Sequence, residues 1–133
     1  MKKKVLAIIE KGEDGGYSIY AKDLNGVYGF GLNEKEAKED FAEVLSEQIK
    51  FMQQRTGKKS EFSAKDIEYK YDFTGFFKSF PYFNISELAK ELGVNSSLLR
   101  RYKTGSAQAS EKQKERIQEC FDEMLKKLQA VKF

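Results

Sequence analysis

The alternation of apolar and polar positions divides the chain into two regimes. Residues 5–10 are an apolar, β-rich run, and GEDGG at 12–16 is a turn cluster. Tyr17, Ile19 and Ala21 then alternate with Ser18, Tyr20 and Lys22, which predicts a half-buried strand. After a second turn at 23–26, Val27, Tyr28 and Phe30 predict a short third strand ending at Gly31. The close spacing predicts an antiparallel meander. Asn33 followed by Glu36 is a capping box opening a helix. Ala37, Phe41, Val44, Leu45, Ile49 and Met52 recur at the helical period, with Glu34, Lys35, Lys38, Glu39, Glu43 and Glu47 opposite. The helix is expected to stop near Gly57, TGKKSEFSAK at 56–65 to be a loop, and Ile67, Tyr69 and Tyr71 to form an edge strand. The first half therefore reads as βββαβ.

From Asp72 onward strand alternation is absent. Phe73, Phe76, Phe77 and Phe80 lie at i, i+3, i+4 and i+7, one face of a short helix that Pro81 stops. ELAKELGVNSSLLRRYKTG at 87–105 predicts two helices around Gly93, and Ser110 with Gln113 caps a last one. That helix carries Ile117, Phe121, Met124, Leu128 and Val131, spaced 4, 3, 4 and 3 as in a coiled-coil seam. The fold expected is α+β: a βββαβ domain at 1–71, then an all-α domain of four helices at 72–133, with the 73–83 segment in the core of the second.

Composition narrows the chemistry. With 133 residues, 40% of them apolar, the chain suits one domain or two small ones. No apolar run is long enough to cross a bilayer, and no signal-peptide core follows the basic start; a cytoplasmic protein is expected. Histidine is absent, which removes the commonest general base and most catalytic zinc sites. The single Cys120 reads as a small helix hydrophobe. No cofactor or metal is expected. Residues 1–71 balance at 13 basic and 13 acidic side chains, whereas 72–133 hold 11 and 8 and so carry the whole net charge of +3. A polyanion would be met by the second half.

The hairpin fits a helix-turn-helix. Ala89 is small where the helices cross, and Gly93 takes the positive φ of the turn. Leu88, Leu92, Val94, Leu99 and Tyr102 pack inward, while Asn95 caps the second helix and Gly105 ends it. This leaves Ser96, Ser97, Arg100, Arg101 and Lys103 facing out, hydroxyl and guanidinium groups suited to phosphates and guanine edges. A solvated charged face is the competing reading. NISELAKELGVNSSLLRRYKTGSAQASEKQ resembles the phage-repressor-type (Cro/CI-like) helix-turn-helix, which implies that Asn95, Ser96, Ser97, Arg100, Arg101 and Thr104 face double-stranded operator DNA. Five helices are common in that family.

Taken whole, the order of strand, GEDGGYSIYAKDLNG, VYGFG, the NEKEAKEDFAEVL helix and the helix-turn-helix resembles the HicB antitoxins. The resemblance implies a partial ribonuclease-H-like first domain that covers a small HicA-like ribonuclease toxin, and autorepression through the second. Ribonuclease H chemistry needs clustered carboxylates holding two metal ions. Residues 5–9 carry none, Glu13, Asp14 and Asp23 lie in turns, and Asp40 and Glu43 lie on the helix surface, so a binding module rather than an enzyme is expected. The candidate toxin surface is Tyr20 and Tyr28 with Glu36, Glu39, Asp40 and Glu43, an acidic face that Lys35 and Lys38 dilute. A regulator with a ligand-sensing first domain and a protein-interaction adaptor are the alternatives. Since one helix-turn-helix covers half a site, a homodimer or larger is expected. The 117–131 seam would serve either that contact or the domain's own core.

Overall fold

The structure, a computed structural model, describes residues 2–133. The fold is α+β, with a four-stranded mixed sheet and five helices among the described residues, arranged as two compact units divided after Ser79.

The first unit contains β1 (Lys3–Lys11), β2 (Tyr17–Ala21), β3 (Tyr28–Gly31), α1 (Glu34–Thr56), β4 (Phe62–Tyr71) and α2 (Phe73–Ser79). The strand order is β3-β2-β1-β4. The expected meander forms the first three strands, with Ala7 opposite Ala21 and Ile9 opposite Ile19. β4 joins the other side of β1 in parallel, placing Val5, Ala7 and Ile9 opposite Ile67, Tyr69 and Tyr71. Alternation turns Val5, Ala7, Ile9, Ile19 and Ala21 toward α1, where Ala37, Phe41, Leu45 and Ile49 close over them. Gly29 and Gly31 let α1 lie directly on β3: a Cβ at Gly29 would stand 2.5 Å from the Phe41 amide nitrogen, and one at Gly31 would clash with that of Ala37. α1 ends at Gly57 in the left-handed region, φ 70°.

Three expectations change here. The stretch 56–65 is not all loop, because β4 begins at Phe62. There the Lys3 amide donates to the Glu61 carbonyl at 2.7 Å, and a register irregularity between Lys3 and Val5 accommodates a buried Phe62. Met52, expected on the buried face of α1, is 42% exposed near the end of that helix. The phenylalanine helix belongs to the first unit: α2 packs on β1, with a smaller contact to β4, and Phe77 is buried. The Asp72 carboxylate caps it by accepting from the Gly75 amide at 2.7 Å. The boundary thus falls at 79/80 rather than 71/72. Only Asp72 and Lys78 carry charge in the transferred stretch, so the first unit stays neutral.

The second unit contains α3 (Ile85–Leu92), α4 (Ser96–Thr104) and α5 (Glu111–Ala130), three helices instead of four. Leu88, Ala89, Leu92, Val94, Leu99, Tyr102 and Ile117 are all buried. Gly93 ends α3 at φ 66°. From α5 the Arg116 guanidinium donates to the Leu92 and Gly93 carbonyls at 3.3 and 3.0 Å, closing the C-terminus of α3. No described helix is long and apolar enough to cross a membrane.

Candidate nucleic-acid interface and a second candidate surface

α4 is positioned by its buried side. Leu99 is fully buried and Tyr102 is 5% exposed, anchoring the helix across α3. At 3.6 residues per turn this directs Ser97, Arg100, Arg101 and Thr104 outward, with Ser96 and Lys103 on the flanks. Asn95, Ser97, Arg100, Arg101, Lys103 and Thr104 are exposed, and Ser96 is half-buried. From Leu92 to Ser110 the chain carries three cationic side chains and no acid, so nothing on α4 neutralises the positive end of its dipole.

The hydrogen bonds assign different work to these residues. The Asn95 side-chain oxygen accepts from the Ser97 amide at 2.8 Å, so Asn95 acts as the N-cap and offers outward only its NH2. The Arg100 Nη2 donates to the Ser86 hydroxyl at 2.9 Å, laying this guanidinium beside the first turn of α3. Thr104 donates back to the Arg101 carbonyl at 3.2 Å. Arg101 therefore reaches outward most directly, Lys103 projects from the flank, and Arg100 sits where two helices can share a phosphate. Ser86 and Arg116 were not singled out from sequence. Ser86 left one signal, a hydroxyl in the first turn of the first hairpin helix.

In the first unit, the face of the sheet turned away from α1 exposes a stripe of side chains. β2–β3 pairing sets Tyr20 opposite Tyr28 and Ser18 opposite Phe30. Tyr28, Phe30 and Leu32 are 66%, 52% and 76% exposed, and Tyr20 is half-buried. An open depression of about 410 Å³ brings Tyr20, Tyr28 and Phe30 together with Asp40, reaching over the free edge of β3. The predicted acids divide. Asp40 accepts from the Phe30 amide at 2.8 Å and Glu36 from the Leu32 amide at 3.1 Å, so both satisfy outward-pointing donors of the edge. Glu36 thereby reaches one residue beyond the Asn33 cap, whose side chain accepts from the Glu36 amide. Glu39 and Glu43 remain exposed. Lys38 does not dilute this edge, because it turns to the β4 side, paired with Glu34 at 3.4 Å and lying over the Tyr69 ring. Phe30 and Leu32, absent from the sequence-based candidates, are the larger apolar part of the surface.

Burial raises the carboxyl of Glu10 above its ordinary range, Asp72 adds to the shift, and Lys78 opposes it. Burial likewise raises Tyr20, with Glu10 and Asp72 contributing. Tyr71 is raised strongly, by burial and by its hydrogen bond to Glu34 at 2.8 Å. No group of three or more His, Cys, Asp or Glu suited to a metal occurs among the described residues. Compared with known proteins, the chain matches no family model, no curated protein and no solved structure.

Proposed function

We propose that this chain is a two-ended binding protein: an antitoxin that reads operator DNA through α4 as an autorepressor and holds a small HicA-like ribonuclease toxin against its first unit. The observation that carries the DNA reading is the outward face of α4. It is cationic, free of acids, capped by Asn95 and fixed by a buried hairpin core. The protein reading rests on the exposed apolar stripe Tyr28–Phe30–Leu32 beside an acidic helix edge, suited to a basic partner. In this reading the first unit is a partial ribonuclease-H-like binding module without catalysis, and the functional unit is at least a homodimer. A ligand-sensing first unit is less well supported, since the space between sheet and α1 is filled by Phe41, Leu45 and Ile49.

The test is Arg100→Ala combined with Arg101→Ala. Binding to a duplex from the gene's own upstream region should fall on the order of a hundredfold or more, while neutralisation of a co-encoded ribonuclease stays intact. Loss of both activities together, or retention of full DNA affinity, would contradict the division of labour.

A further inference from the structure

The seam of α5 outruns the core it serves. Ile117 is 2% exposed, Phe121 and Met124 are half-buried, and from Leu125 to the end every residue is exposed. Yet the apolar spacing continues, leaving Leu125, Leu128 and Val131 at 54%, 66% and 52% exposure. At 3.6 residues per turn, Met124, Leu128 and Val131 share one face; Leu125 lies on one flank, and Glu123 and Lys127 on the other. Charge is segregated along the same stretch. Glu119, Asp122 and Glu123 come first, then Lys126, Lys127 and Lys132.

That order discriminates between occupants. Two copies side by side in parallel would set acid beside acid and lysine beside lysine. Turned antiparallel about a two-fold axis, each acidic half meets the other copy's lysines, and the helix dipoles also oppose. A different protein would need no such mirror arrangement. We propose that the C-terminal half of α5 is a self-pairing surface: two copies join antiparallel, Met124 of each facing Leu128 of the other. Leu125 meets its own counterpart on one flank; on the other, Glu123, which also pairs with Lys126 of its own helix at 3.8 Å, meets Lys127 of the second copy and offsets the approach of the two Lys127 side chains. This rests on the operator reading only for its purpose, two recognition helices on one particle, and the association is measured without DNA.

Sedimentation of the full chain at about 0.05 M and 0.5 M salt tests it, with circular dichroism to check helix content. The wild type should dimerise, more weakly at high salt. Leu128→Asp, a change at an exposed position, should weaken association on the order of a hundredfold. Glu123→Lys and Lys127→Glu should each weaken it about tenfold, by opposing like charges at two symmetric sites. An equimolar mixture of those two variants should form heterodimers, and the E123K/K127E double variant should recover wild-type association. A wild type monomeric at about 100 µM, an unchanged dimer in Leu128→Asp, an inert Glu123→Lys, or a mixture no tighter than its components would each overturn the proposal. Arg100→Ala with Arg101→Ala should leave association untouched, so failure of the DNA reading is recognisable separately.

Discussion

Gly93 concentrates two constraints on one residue. Its φ of 66° is costly for a residue with a Cβ, and that Cβ would meet the Arg116 guanidinium that closes α3. Gly93→Ala should therefore destabilise the second unit by about 1–3 kcal/mol, read as a lower midpoint in urea unfolding. Glu10 makes a different kind of prediction. Its folded-state pKa is raised, so the neutral form is the one the fold favours. That contribution is complete below the ordinary carboxylate value, about 4.5, and is lost as pH rises through the raised value. Glu10→Gln should hence raise the melting temperature relative to wild type near pH 7 and have little effect near pH 3.5. Calorimetry at the two pH values checks the sign, and an equal shift at both would contradict it.

Elements were legible where their determinants are local. Asn33, Asn95 and Ser110 cap their helices, and Gly57, Gly93 and Gly105 end theirs, because capping is decided within a few residues. The start of β4 was not legible: Phe62 is drawn into the sheet by β1, far away in sequence, and the brief alternation of FSAK breaks phase at Lys65–Asp66 before Ile67, Tyr69 and Tyr71. The phenylalanine spacing identified α2 as amphipathic, but an apolar face does not say which core it covers. The hydrogen-bonding work of two α1 acids was not legible for a related reason. Their helical positions were read correctly as surface, yet nothing local reveals that the amides of Phe30 in β3 and Leu32 just after it lie within reach of Asp40 and Glu36. Asp40→Asn leaves an acceptor in place, whereas Asp40→Ala strips the Phe30 amide of its partner. The alanine variant should cost about 0.5–1.5 kcal/mol more and expose the β3 edge to self-association. Thermal melts and light scattering test both effects.

At the scale of the molecule, charge and apolar surface are allotted to different units. The net charge lies entirely in the unit with the α3–α4 hairpin, and the exposed apolar stripe of Tyr28, Phe30 and Leu32 lies in the neutral one. The outward face of α4 was legible as a group from the sequence, because it is defined by which residues the hairpin buries. The separate roles of its residues were not, since the Ser86–Arg100 bond joins residues fourteen apart. Lys103→Ala, on the flank of α4, should weaken binding to all duplexes alike and lower the salt slope by about 1, whereas Arg101→Ala should cost about 1–3 kcal/mol and relax sequence preference. The most direct test of the central claim is a fluorescence-anisotropy titration of the full chain against a duplex from its own upstream region and a scrambled duplex, over a range of salt. The account predicts tighter binding to the upstream duplex, affinity falling linearly in log–log with salt, and loss of the preference in the Arg100, Arg101 double variant. Equal binding to both duplexes, or none at low salt, would contradict it.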